Sequence, residues 1–263
     1  MQHLRTMALR GSEGEGEGET AGWPFDVPSI VRLGERAIDA PVLFFVGENG
    51  SGKSTLMEAL AIATRRVTVG GADAASDPTL EGLRPLAKRL RLGWRKQTAR
   101  GFFLRAEDFF NFSKRNRDTA QELDGYAERF KDDPRVRGYM LGQKHALEDR
   151  YGGDLDTLSH GESFLQLFKS RIVPEGFYLL DEPEAALSPK RQLAFLAIVK
   201  QAVEEEACQF VIATHSPILL SYPGAAHWLF DEHGIREAAF DELEHVSFTR
   251  EFLAAPDRYW RHL

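Results

Sequence analysis

An α/β fold with a mainly parallel sheet is predicted by three features of the 263-residue sequence. Short apolar runs alternate with longer stretches of helical spacing, the pattern of strands joined by crossover helices. One such run, "VLFFV", leads straight into the glycine-rich turn "GENGSGKS" and then a helix. Two later runs, within "EGFYLLDEP" and "CQFVIATHSP", each end in polar residues, at the strand ends where open α/β sheets place ligands.

Composition narrows the setting. Hydrophobic residues make up 43% and charged residues 28%, ordinary values for a soluble globular protein. The net charge of −7 offers no global attraction to nucleic acid or acidic membranes, which leaves only a local basic patch. A single cysteine, Cys208, excludes an intrachain disulfide. No apolar run approaches the roughly 20 residues that span a bilayer, and the N-terminus lacks the apolar core of a signal peptide. A cytoplasmic protein without direct membrane insertion is expected.

Along the chain, "GSEGEGEGET" at 11–20 cannot bury apolar surface, so residues 1–22 are expected to form a disordered acidic leader. A single folded domain is expected over 23–263. "LMEALAIATRR" has the spacing of a helix, and "KRLRLGWRKQTARGFFLR" at 88–105 alternates enough to suggest short antiparallel strands. The polar stretch from Glu107 to Arg150 reads as surface helices interrupted near Pro134. Ser188 and Pro189 carry N-cap and first-turn signals for a helix running to Glu206. "AHWLFDEHGIREAAF" reads as a hairpin turning at His233-Gly234, and the C-terminal segment as helical up to Pro256.

The turn at 47–54 fits G-x-x-x-x-G-K-[ST] at every defined position, between a strand and a helix. Gly47, Gly50 and Gly52 permit backbone conformations that a Cβ opposes. The turn, with Asn49 and Ser51 between its glycines, can then aim successive N–H groups at phosphate oxygens beside a helix N-terminus. Lys53 would reach the β- and γ-phosphates, Ser54 would ligate Mg²⁺, and Thr55 would add a contact. A nucleoside triphosphate is the expected ligand. Asp181 and Glu182 lie 128 and 129 positions beyond Lys53. Asp181 would hold Mg²⁺, and Glu182 would orient or deprotonate the attacking water.

Between these elements stands "LSHGES" at 158–163, with Ser159 22 positions before Asp181; "IATHSP" follows, with His215 34 positions after it. A phosphate loop, then L-S-x-G-x, then a strand ending D-E-P, then a strand ending in His is the motif order of ABC-type ATPases. From about Trp23 onward the chain resembles the soluble, stand-alone members of that group, often labelled predicted ATPase or AAA family ATPase. The resemblance implies a P-loop NTPase core, an antiparallel β-subdomain, and an α-helical subdomain over roughly 107–170 that carries the signature. It also implies that Ser159 and Gly161 of one protomer cap ATP on the P-loop of another, in an ATP-dependent head-to-tail homodimer. His215 would contact the γ-phosphate and the attacking water. Read from the residues alone, Ser159 is equally an N-cap of the helix that follows.

The chain departs from the family pattern in places. His160 and Glu162 replace the usual L-S-G-G-Q residues, and Glu162 is expected to point away from the phosphate. Ser188 stands where a terminal Asp is usual. No Mg²⁺-sensing glutamine is evident in "FFLRAEDFF", where Glu107 is either its substitute or a plain helix-start acid. Trp23 or Phe25 could stack on adenine, or either could belong to the core.

Three roles compete: a self-contained ATPase acting on a protein or nucleic-acid partner, a transporter subunit, and a DNA-acting ATPase. The 105 residues between Lys53 and Ser159 are too few for long coiled-coil arms. The eight Lys and Arg residues of 84–105 form either a phosphate-contacting patch or a solvated strand face, and "SKRNR" at 113–117 is a lesser candidate.

Overall fold

The computed structural model describes residues 2–10, 22–69, 73–151 and 159–261, so the acidic stretch 11–20 and Leu158 lie outside the described residues. In chain order come β1 (Leu4–Leu9), α1 (Pro28–Val31), β2 (Glu35–Ala37), β3 (Val42–Gly47), α2 (Lys53–Ala63) and β4 (Val67–Thr68). They are followed by α3 (Arg84–Arg89), β5 (Leu90–Trp94), β6 (Phe102–Arg105), α4 (Ala106–Arg129), α5 (Pro134–Tyr151), α6 (His160–Arg171) and β7 (Phe177–Asp181). The chain closes with α7 (Pro189–Glu206), β8 (Gln209–Ala213), α8 (Pro217–Leu220), β9 (Ala226–Asp231), β10 (Gly234–Glu237), α9 (Glu244–Ala254) and α10 (Pro256–Trp260).

Seven strands form the main sheet in the order β10-β9-β3-β8-β7-β6-β4. Every pairing in it is parallel except the terminal β9–β10 hairpin. Its central strands are buried on both faces, which is why they read as unbroken apolar runs. Along β3 the two faces serve different cores. Leu43 and Phe45 pack with α2 and the small sheet, whereas Val42, Phe44 and Val46 pack with α6 and α7. The register aligns the carboxyl ends: Phe45 pairs with Ala213, Asp181 with Ala213, and Arg105 with Asp181.

A second, antiparallel sheet has the order β2-β1-β5. The expectation of a disordered leader over 1–22 is therefore corrected for its first residues. Leu4 and Met7 are fully buried in the core shared with β3 and α2. A register shift between Leu4 and Thr6 breaks the two-residue alternation that would have betrayed the strand. The buried Gln209 side chain fastens this strand to the main sheet. Its Oε1 accepts from the His3 and Leu4 N–H groups at 2.8 and 2.7 Å, and its Nε2 donates to the Leu4 carbonyl at 3.0 Å.

The antiparallel strands expected within 88–105 hold for β5 and are corrected for β6. β5 pairs with β1 in the small sheet, whereas β6 enters the parallel sheet between β4 and β7. The basic window is thus split over α3, two sheets and a loop. Much of it is already paired, as in Lys96–Glu175 at 2.5 Å and Arg84–Glu81 at 3.6 Å.

Helices α4 and α5 pack against each other and are tied by Lys144 Nζ to Asp124 Oδ2 at 2.5 Å. α6 packs on α7 through Phe164, Phe168 and Phe195. Pro189 opens α7, as its sequence indicates, although the Ser188 side chain makes no capping bond. The chain breaks at Ala255 and restarts as α10 at Pro256, a residue whose fixed φ suits a first helical position. No helix among the described residues is long and apolar enough to cross a membrane.

Candidate nucleotide and metal site

The glycine-rich turn joins β3 to α2. Gly47, Gly50 and Gly52 all have positive φ, at 147°, 81° and 98°. A Cβ on Gly47 would lie 2.3 Å from the Phe230 carbonyl, and one on Gly52 would lie 2.3 Å from Ser29 Oγ. Gly52 supplies no side-chain cap to α2, so the first-turn N–H groups beyond it are left for an outside anion. Glu48, Asn49, Gly50 and Ser54 are exposed on this turn, Ser51 and Thr55 are half-buried, and Lys53 is buried. Lys53 Nζ donates to the carbonyls of Gly47 and Glu48 at 2.6 and 2.8 Å, curling back over the loop. Burial draws its pKa down, opposed by the carboxylates of Asp181 and Glu182.

β7 delivers Asp181 and Glu182 beside this loop. Asp181 is buried, and burial raises its pKa to about 7 against a hydrogen bond from Ser54. Its Oδ1 has no hydrogen-bond partner. An oxygen-only pair with one orphaned carboxylate oxygen fits a hard divalent cation such as Mg²⁺, whose other ligands would be phosphates and water. Ser54, Asp181 and Glu182 line a pocket of about 410 Å³ with Glu58, Arg105 and Glu107. Glu107 is largely exposed there, 3.6 Å from Arg105 Nε. Glu182 occupies the left-handed region at φ 51°, a strained conformation for a side-chain-bearing residue, and its N–H donates to Ala213.

β8 brings His215 to the same edge. Its Nε2 lies 3.9 Å from Glu182 Oε1 and has no hydrogen-bond partner. Burial lowers its pKa, and the charges of Lys53 and His245 lower it further. Glu184, which the sequence analysis did not assign, fixes the turn carrying this histidine. Its Oε1 accepts from Thr214 Oγ1 at 2.7 Å and from the His215 N–H at 2.8 Å. The acid two positions past Glu182 was the available signal. Arg105 was also missed. It is 12% exposed and contacts Asp108 at 2.7 Å, Glu58 at 3.3 Å, Asp77 at 3.5 Å and Glu107 at 3.6 Å.

Ser159 and Gly161 are not among the residues lining this pocket. Ser159 caps α6 in a full capping box with Glu162. Glu162 does not turn away, as expected, but folds back so that its Oε2 accepts from the Ser159 N–H at 2.9 Å and hydroxyl at 2.6 Å. The two free donors of the helix start account for that inward turn. The Ser159 hydrogen bonds, with Arg191 at 3.0 Å, hold the Glu162 carboxylate below its usual range. Gly161 packs so closely on α7 that a Cβ would meet Arg191 Cδ at 2.7 Å.

Of the two aromatic candidates for adenine, Phe25 packs against the core beneath the Arg89 guanidinium, 5.2 Å from its ring centre. Trp23 is 58% exposed. Their segment touches the phosphate loop through Val27 and Ser29, whose hydroxyl donates to the Ser51 carbonyl at 2.5 Å.

A family model described as "AAA domain, putative AbiEii toxin, Type IV TA system" matches residues 87–221, half of the chain. The chain belongs to this AAA-domain family. The matched span contains the signature, Asp181, Glu182 and His215, while the phosphate loop precedes it. The motif order resembles that of ABC-type ATPases, and it is carried here on a mainly parallel sheet whose strand β3 runs into the glycine-rich turn. Among solved structures it is similar to cbiO1 from Clostridium perfringens, part of the ABC transporter complex cbiONQ, at 15% identity over 100% of both chains with a TM-score of 0.47. It is similar to MJ1267, an ATP-binding cassette of an ABC transporter, in its ADP conformation, at 16% identity over 95% of this chain and 96% of that one, with a TM-score of 0.47. It is also similar to dimeric MJ0796, a bacterial ABC transporter cassette, at 16% identity over 78% and 88%, with a TM-score of 0.40. No curated protein matches the chain.

Proposed function

We propose that the chain binds and hydrolyses ATP and that ATP closes two copies head to tail, driving a conformational change in a protein or nucleic-acid partner in the cytoplasm. The reading rests on the convergence of Lys53, Ser54, Asp181, Glu182 and His215 at the carboxyl ends of three adjacent strands. The N–H groups of 49–55 and the Lys53 ammonium would hold the phosphates, once Nζ leaves its two carbonyls for the stronger acceptor. Ser54 and Asp181 would hold Mg²⁺, which when bound neutralises charge on the β- and γ-phosphates. Glu182, about half exposed, would accept a proton from the attacking water, with His215 Nε2 lying 3.9 Å from its Oε1.

In the closed dimer, Ser159 and Gly161 of one copy would cover the triphosphate held by the other. The capping carboxylate of Glu162 must then yield to the phosphate or share Arg191 with it. ATP turnover by the wild type and by Glu182→Gln tests the reading, with light scattering under Mg-ATP. The expected result is loss of hydrolysis and a stable dimer in the variant. A variant that hydrolyses ATP at the wild-type rate, or that stays single when saturated with Mg-ATP, would overturn it.

A further inference from the structure

His215 does not stand alone. Its Nδ1 lies 2.9 Å from Nε2 of His245, with the ring centres 5.0 Å apart and the planes tilted by 55°. His245 sits in the first turn of α9, outside every motif named above. It is firmly placed, because Leu243 and Val246 on either side of it are buried in the core with β3 and β8. Its side chain is 18% exposed.

A hydrogen bond between two imidazole nitrogens needs one proton, and its position decides what the far side of His215 presents. The surroundings choose between the two arrangements. His245 Nε2 lies 3.8 Å from Glu48 Oε1, and His215 Nε2 lies 3.9 Å from Glu182 Oε1. Carboxylate oxygens offer only lone pairs, as do the phosphate oxygens expected beside Lys53. A protonated Nε2 on each ring faces these acceptors favourably, whereas a bare nitrogen would set lone pair against lone pair. The proton between the rings therefore belongs to His245.

We propose that His245 is a positioning residue whose Nε2–H donates to Nδ1 of His215, fixing the tautomer that turns the His215 Nε2–H toward Glu182 and the phosphate site. The main chain of His215 is held by Glu184, so the ring's remaining freedom is rotation and tautomer, and His245 removes both. The proposal rests on the hydrolytic reading for its consequence, though not for its geometry. The contact also reaches the phosphate loop through Glu48, so one helix outside the matched family span touches both the histidine and the loop.

Two measurements on the full chain decide it. ¹⁵N NMR of the histidine rings, in the nucleotide-free wild type, should show His215 Nδ1 as an unprotonated acceptor and Nε2 as protonated. In Mg-ATP turnover, His245→Leu should lower kcat by about tenfold to a hundredfold, the scale seen when a partner that orients a metal-bound histidine is removed, with KM little changed. His245→Gln, which keeps a donor at the position of Nε2, should recover most of the rate. His245→Glu, which presents an acceptor, should not. A proton on His215 Nδ1, a His245→Leu enzyme with wild-type kcat, or equal recovery by Glu and Gln would each overturn the proposal. A wild type that turns over no ATP would remove the hydrolytic reading, while the NMR result would still decide the tautomer.

Discussion

At the scale of single residues, the three loop glycines make unequal demands. Gly50 has open space around its missing Cβ, so Gly50→Ala pays only for the left-handed backbone, about 1–2 kcal/mol. Gly52→Ala adds a collision with Ser29 and Val27, which sit directly beneath the loop. Nucleotide affinity measured by calorimetry should therefore fall modestly in Gly50→Ala and be lost in Gly52→Ala. His227 gives a prediction for pH. Its ring stacks on Phe44 at 5.5 Å and its Nε2 donates to the Leu220 carbonyl at 2.9 Å, and burial lowers its pKa from 6.5. The folded state thus disfavours the proton more than the unfolded chain does. The stability this group contributes is complete above pH 6.5 and is lost as pH falls through the lower folded value. Chemical denaturation at pH 7.5 and 5.5 should show a larger loss on acidification for the wild type than for His227→Gln. Most of the loop, the acidic pair and His215 were legible in the sequence, because each lies within a short motif. His245 was not. It meets His215 only because β9, β10 and α9 bring the chain back, and no local pattern marks that return.

Among the elements, the strands buried on both faces were the most readable, while β1 was hidden and so was its pairing with β5. No turn joins β1 to β5, so their pairing has no local mark, and β5 and β6 read as antiparallel neighbours only because they lie close in sequence. The ends of these elements also carry an electrostatic joint. Arg105, at the end of β6, binds Glu58 on α2, Asp77 before α3, and Asp108 at the start of α4. Each of those carboxylates is at most 20% exposed, so removing the cation leaves several poorly hydrated charges together. Breaking such a buried set costs about 3–5 kcal/mol. Arg105→Met should lower the urea midpoint accordingly, and Glu58→Gln added to it should recover part of the loss, because one of the stranded charges is then absent.

For the whole molecule, the proposed arrangement predicts complementation. Lys53→Ala and Ser159→Arg should each abolish hydrolysis. In a mixed dimer, the intact phosphate loop of one variant would face the intact signature of the other, so activity should reappear when the two inactive proteins are combined. Colourimetric phosphate release on mixing is the measurement, and silence at all ratios would mean that each site works within its own chain. The family match covers 87–221 and does not reach the beginning of the small sheet. That beginning is held by the amide of Gln209, whose three hydrogen bonds all run to His3 and Leu4. A version trimmed to start at Trp23 would strand this amide in the interior and uncover the strand edges of β2 and β5 that β1 now protects. The first nine residues, which look dispensable on paper, are where a shortened protein would come apart.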